Sequence, residues 1–293
     1  MLRLALVPEG VSFLWGLLLT PLSIMLAGRF GLIDLPGLRK IHTTPIPRGA
    51  GITLWTGFLF WCLVFGPQSQ AVRLAATGAT MVFFAGYLDD MLSLSPFSRL
   101  FIQFAAAVVA LSALPSVAVP DYLLYLIWIA GTTNAYNFID GLNGLALGIS
   151  SLSFFVLALL GAGLWSGPLA ALALGLLPWN FPRAKTFVGD GGVYLLGFLF
   201  SVLVVFFIES MHLTFFSKAV LLALVGGVPV IDTLVAVVRR TLAGKSPFYP
   251  DRKHLHHRLL DRGLPSWLVV AVLCLFQGFF GLLARLWLIK LRS

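Results

Sequence analysis

Ten apolar runs, each long enough or nearly so to cross about 30 Å of hydrocarbon as a helix, follow one another along this chain of 293 residues. They predict membrane-spanning helices over 11–28, 50–65, 71–88, 100–119, 121–137, 144–165, 168–181, 193–211, 217–238 and 266–289. Two of the runs (50–65 and 168–181) are short, and 100–137 is divided only by Pro115, Pro120 and Asp121, so the count ranges from nine to eleven. Barrel strands of about 9–11 alternating residues do not fit such continuous runs. The first run, Val11–Gly28, is longer than a signal-peptide core of about 7–15 residues and reads as a retained span. The expected fold is therefore an all-α integral membrane bundle, a single polytopic domain over 1–293. Its longest polar connection, 239–265, leaves no room for a soluble domain.

Composition agrees. The chain is 59% hydrophobic and 11% charged, against about 45–50% and about 25% in soluble domains. Most of this surface must face lipid, which excludes soluble, disordered, collagen-like and disulfide-stapled classes. Cys62 and Cys274 both lie inside apolar runs and read as small buried hydrophobes. The net charge of +9 fits membrane topology and anionic ligands; no aromatic-studded basic segment of nucleic-acid type is present.

The charges also divide by side. With ten spans, the odd connections (about 29–49, 89–99, 138–143, 182–192 and 239–265) hold 14 of the 20 basic residues. The positive-inside rule makes them cytoplasmic and puts both termini outside. The acidic residues segregate with them, although no topology rule requires it: only Glu9, Asp121 and Glu209 do not lie in or beside these connections. A single site assembled from five loops on the cytoplasmic face would cause this.

Four segments could carry its chemistry. Asp89-Asp90 closes an apolar run, where two adjacent carboxylates call for a cation or a proton; a solvated helix end is the plainer reading. Asn137, Asp140 and Asn143 recur every third residue beside Gly141 and Gly144, which suits either a cavity-lining helix end or a simple turn. Gly189-Asp190-Gly191-Gly192 opens a helix and resembles an anion-binding nest, with Asp190 requiring a divalent cation between itself and any phosphate. The segment Lys245 to Arg258, with Arg252, Lys253, His254, His256 and His257, has bases that favour an anion such as a diphosphate over a zinc ion; an inert basic loop is the plainer reading. The basic first loop, Arg39 to Gly51, is either a topology anchor or part of the site. Asp232 reads as a capping, ion-pairing or site residue, and Glu209, His212 and Gln277 read as structural.

In this order the segments resemble the polyprenyl-phosphate N-acetylhexosamine-1-phosphate transferase family (glycosyltransferase family 4). The resemblance rests on Asp34-Leu-Pro-Gly-Leu-Arg39-Lys40-Ile-His42, Asp89-Asp90, Asn137-Phe-Ile-Asp140-Gly141, Gly189-Asp190-Gly191 and Ser246-Pro-Phe-Tyr-Pro-Asp251-Arg252-Lys253-His254-Leu-His256-His257, and covers about residues 30–265. The His-Leu-His-His order is similar to the WecA branch rather than the MraY branch, which transfers phospho-MurNAc-pentapeptide and is the alternative within the family. Asn143 stands where many members have a second Asp, so no metal role is assigned to it. Ala50 stands where a second glycine is common.

The resemblance implies transfer of N-acetylhexosamine-1-phosphate, GlcNAc-1-phosphate first among the candidates, from a UDP-sugar to undecaprenyl or another polyprenyl phosphate, with release of UMP. It implies Mg²⁺, with Mn²⁺ as the alternative ion, on Asp190, with Asp140 and Asp90 as further ligands. Asp89 is expected to deprotonate or orient the acceptor phosphate, a role it could exchange with Asp90. Lys40, His42, Arg252, His254, His256 and His257 are expected to hold the diphosphate and sugar, and Asn137 the nucleotide. The expected setting is the bacterial inner membrane, with a homodimer by analogy. The rival from another class is a carrier for an anionic solute, whose site would lie near the midplane.

Overall fold

The lipid-facing logic of the first helix, α1 (Val7–Arg29), is the reverse of a soluble helix. Ser12, Gly16, Thr20, Ser23 and Ala27 are its buried face, while Leu14, Leu18, Leu22 and Met25 point outward. Small residues let backbones approach where lipid supplies no hydrophobic drive between helices. A Cβ on Gly16 would lie 2.5 Å from the Leu172 carbonyl oxygen, and one on Gly175 would lie 2.1 Å from that of Phe13.

The protein is represented here by a computed structural model, which describes residues 7–36, 44–246, 249 and 251–292. Lys40 and His42 lie outside the described residues. The other helices are α2 (Ala50–Val64), α3 (Gln70–Leu92), α4 (Pro96–Leu111), α5 (Val119–Ile139), α6 (Leu145–Leu160), α7 (Ser166–Asn180), α8 (Gly189–Glu209), α9 (Phe215–Leu242), the short α10 (Leu255–Asp261) and α11 (Ser266–Arg292). Each of the ten predicted segments falls on one of the long helices. Two boundaries differ. The segment 100–119 becomes a helix ending at Leu111, ahead of Pro115, which cannot continue it, while Pro120 sits in the first turn of α5, where a missing N–H costs nothing. The segment 144–165 ends at Leu160, capped by Gly161. A two-residue antiparallel ladder, β1 (Ile33–Asp34) with β2 (Ile46–Pro47), adds strand structure that the runs did not predict.

Among the described residues, five helices (α1, α3, α8, α9 and α11) are long and apolar enough to cross a membrane, and α2, α4 and α6 are apolar but shorter. The chain is an all-α, multi-pass membrane protein. Nearly every residue of α8 is buried, with α2, α3, α5 and α6 packed around it. Because α8 is apolar on all sides, it is the interior post of the bundle.

Helix α9 is interrupted at Gly227, whose φ of +53° and ψ of −133° are accessible to glycine at little steric cost. Gln277 of α11 bridges the interruption. Its Oε1 accepts the Val228 N–H at 2.9 Å and its Nε2 donates to the Val225 carbonyl at 3.3 Å, so the freed backbone groups stay satisfied away from water. Below the break, α9 carries Asp232, Arg239 and Arg240.

Two of the three acidic residues outside the odd connections meet one cation. Lys218 Nζ lies 2.6 Å from Asp121 and 2.5 Å from Glu209, and the Tyr125 hydroxyl donates to Glu209 at 2.5 Å. This cluster ties α5, α8 and α9 together at the end opposite Asp90, Asp140 and Asp190.

Candidate active site

Asp89 and Asp90 sit in the last turn of α3, not in the following loop. Being adjacent, they point to different neighbours. Asp89 is buried: its Oδ1 accepts the Leu94 N–H at 2.8 Å, and its Oδ2 accepts from Arg99 at 2.8 Å and from the Tyr194 hydroxyl at 3.4 Å. Asp90 turns toward the first loop and α8. Its Oδ1 accepts from Arg48 at 2.8 Å, and its Oδ2 accepts the backbone N–H of Asp190 at 2.8 Å. Arg48 also pairs with Asp34 of β1.

The Gly189 nest therefore already faces an anion, and that anion is Asp90. Gly189 has a φ of +72°, and a Cβ there would meet Asp90 Oδ2 at 2.7 Å. Asn137, in the last turn of α5, donates to Asp190 Oδ1 at 2.9 Å. Asp190 thus stands among Asp90, Asp89 and Asp140, each acting on it electrostatically. Asp140 is the residue at which α5 ends. Loss of hydration together with the Asp90 charge pushes its carboxyl up to about 7, against the opposing pull of Arg48. Asn143 instead donates to the Pro182 carbonyl at 3.4 Å, a contact between loops.

The fifth connection folds onto the third. Asp251 is clamped by Arg239 Nη2, at 3.0 and 2.8 Å from its two oxygens, and by Arg240 Nε at 3.1 Å. Burial raises this carboxyl, but Arg240 and Arg239 outweigh it and hold Asp251 well below the usual range. His254 lies between Asp232, 2.8 Å from its Nδ1, and Arg240, 3.4 Å from its Nε2. The rings of His256 and His257 meet at a tilt of 55° with centres 4.1 Å apart. Burial, with His257 and His254 nearby, pushes His256 down to about 3. His256 Nε2 and His257 Nδ1 are buried without a hydrogen-bond partner. His256 Nε2 sits where a Cβ on Gly141 would be, 2.3 Å away, so only glycine fits beside it. Arg252 is exposed at the rim of this turn.

Comparison with known proteins follows the same residues. The family model described as glycosyl transferase family 4 matches residues 72–208, the stretch that holds Asp89, Asp90, Asn137, Asp140 and Asp190. Over 296 residues the chain is 33% identical to a protein of Bacillus subtilis named probable undecaprenyl-phosphate N-acetylglucosaminyl 1-phosphate transferase, covering 94% of this chain and 82% of that one. The chain belongs to glycosyl transferase family 4. An undecaprenyl-phosphate alpha-N-acetylglucosaminyl 1-phosphate transferase of Thermotoga maritima is 30% identical, covering 90% of this chain and 85% of the relative. The protein of that same name in Escherichia coli is 31% identical, covering 82% and 72%.

Within this family 4 member, the expected residues Asp89, Asp90, Asn137, Asp140, Asp190, Arg252, His254, His256 and His257 all occur in one contiguous network at one end of the bundle. Lys40 and His42 belong to the undescribed part of the first loop. The network also contains residues to which sequence reasoning gave no role of their own: Arg48, in a loop left open between anchor and site, and Asp34, which pairs with Arg48 beside Asp90, and Arg99 and Tyr194, which hold Asp89. The signal for Arg99 was its position in an odd connection; Tyr194, inside an apolar run, left none.

Proposed function

We propose that this chain transfers N-acetylglucosamine-1-phosphate from UDP-N-acetylglucosamine to a polyprenyl phosphate, undecaprenyl phosphate foremost, releasing UMP. The observation that carries the reading is the junction of Asp90, Asp190, Asn137 and Asp140, contributed by three separate connections. An acceptor phosphate oxygen attacks the phosphorus bonded to the sugar, and the bond from that phosphorus to the oxygen bridging it to UMP breaks. The electron pair of that bond leaves with UMP. Both reactants are anionic, so the site must supply positive charge and order.

The donor set fits Mg²⁺, or Mn²⁺ in its place. Asp190, with Asp90 and Asp140 near enough to act on one another electrostatically, offers hard carboxylate oxygens. Among the described residues no three acidic, His or Cys side chains form a ligand group on their own, and Mg²⁺ is commonly held by one or two carboxylates plus substrate phosphates and water. Once bound, the ion would neutralise the diphosphate and the departing UMP. Asp89 or Asp90 orients or deprotonates the acceptor phosphate. Asn137 contacts the nucleotide, and the Arg252–His257 turn with Lys40 and His42 cradles the diphosphate and sugar. In this reading the network faces the cytoplasm of a bacterial inner membrane and both termini lie outside. A carrier would place its polar groups near the midplane, whereas these lie at helix ends.

The test is UMP release by purified, detergent-solubilised protein given UDP-N-acetylglucosamine, undecaprenyl phosphate and Mg²⁺. Release is expected to require lipid and metal and to fail with EDTA. Release with UDP-N-acetylgalactosamine alone would overturn the choice of sugar. Folded protein inactive with every UDP-N-acetyl sugar would overturn the reaction.

A further inference from the structure

We infer that Asp232 is a positioning residue for the transfer reaction: it locks His254 in a single tautomer and thereby seats the Arg252–His257 turn on Gly141. This rests on the transferase reading above, and the geometry stands independently of it. Asp232 lies on α9 just beyond the Gly227 break and is buried. Its Oδ2 is 2.8 Å from His254 Nδ1, and its Oδ1 accepts the backbone N–H of Leu255, the first residue of α10, at 3.0 Å. On the far side of the ring, Arg240 Nη2 lies 3.4 Å from His254 Nε2.

An arginine can only donate. Nε2 must therefore be the acceptor and Nδ1 the protonated nitrogen, donating to Asp232. Both ends of the imidazole specify the same tautomer, and both oxygens of Asp232 receive a donor. A carboxylate meets this requirement because it offers two acceptors and no donor. An asparagine would turn its NH₂ toward either the Leu255 N–H or His254. In the second arrangement the ring could relieve the conflict only by moving its proton to Nε2, where it would face the Arg240 donor.

The consequence reaches the reaction through packing. His254 and His256 are parallel, 6° apart with centres 6.1 Å apart, and His254 also lies 5.7 Å from the Phe138 ring. His256 in turn abuts Gly141, next to Asp140. With both nitrogens of His254 engaged inside the chain, the turn's buried side-chain nitrogens without a partner belong to His256 and His257. Asp232 sets where they stand.

The experiment uses full-length protein in lipid bilayers with ¹⁵N-labelled histidine, read by solid-state NMR, alongside UMP release. In the wild type, one neutral Nδ1-protonated signal is expected, absent in His254→Ala. In Asp232→Asn that signal is expected to move to the Nε2-protonated form or to split between the two. Turnover of Asp232→Asn is expected to fall about 10- to 100-fold, the usual cost of losing a residue that orients a working histidine. In the His254→Ala background Asp232→Asn should add nothing further. Should Asp232→Asn fail to fold, Asp232→Glu keeps both acceptors and should retain the Nδ1 signal. A His254 signal and a turnover that are both unchanged in Asp232→Asn, or losses that simply multiply in the double variant, would overturn the proposal. A wild type with the locked signal but no UMP release would overturn the transferase reading and leave the lock established.

Discussion

The backbone N–H of Asp190 donates to Asp90 Oδ2 at 2.8 Å, joining the first turn of α8 to the last turn of α3. The carboxylate of Asp90 thus fills the positive end of α8, where a helix N-terminus would otherwise accept a phosphate, and Arg48 pairs with it. The side chain of Asp190 is held by Asn137. Asp190→Asn is expected to lower turnover at least about 100-fold, the scale of removing a principal electrostatic group from a reaction centre. Its unfolding temperature should stay close to that of the wild type. UMP release together with a melting curve checks both halves, and near-normal turnover would count against Asp190 at the centre.

Arg99 is the cation that accompanies buried Asp89. Removing one partner of a buried pair strands the other, at about 3–5 kcal/mol. Arg99 is partly exposed, so Arg99→Met belongs at the lower end of that range, about 3 kcal/mol. Thermal unfolding in detergent measures it; a variant as stable as the wild type would show that Asp89 does not depend on Arg99.

Much of this site could be read from the sequence, and what could not has a physical cause. Asp89-Asp90, Asp140, Asp190 and the histidine turn stood out because carboxylates and bases interrupt apolar runs on one side of the membrane. The ten helices were legible for the same reason. Arg48 with Asp34, Arg99 with Tyr194, and Asp232 with His254 were not, since each pair is made by tertiary approach across 14, 95 and 22 residues. Tyr194 is one aromatic residue in a helix buried all round, which has no polar face to mark it. The 100–119 boundary slipped because Pro120 reads as a breaker, although a proline in a helix's first turn is a starter.

Gly141→Ala places a methyl group where His256 Nε2 now lies, 2.3 Å from the ideal Cβ. The turn must move by about an ångström, and misplacement on that scale costs about 100-fold in kcat/KM. Steady-state kinetics with UDP-N-acetylglucosamine would show it, and a wild-type value would mean that the turn does not engage the substrate.

Burial, His257 and His254 hold the His256 imidazole near 3, below its ordinary 6.5. Between these values the unfolded chain binds a proton that the folded chain does not, so stability at this position falls as the pH drops below about 6.5. His256→Gln should flatten the dependence of unfolding temperature on pH between about 5 and 6.5. Parallel wild-type and variant curves would contradict this.

The proposed reaction is a direct displacement, in which the acceptor phosphate attacks with no phospho-enzyme between donor and product. Labelled UMP should therefore not exchange into UDP-N-acetylglucosamine without polyprenyl phosphate, and exchange in its absence would establish a phospho-enzyme instead.

The most direct measurement follows the phosphorus itself. Purified protein is given UDP-N-acetylglucosamine labelled with ³²P at the phosphate bonded to the sugar, together with undecaprenyl phosphate and Mg²⁺. The label should move into the lipid fraction while unlabelled UMP is released in equal amount. Label that stays in the nucleotide as UDP would mean that the sugar alone is transferred, contradicting the account.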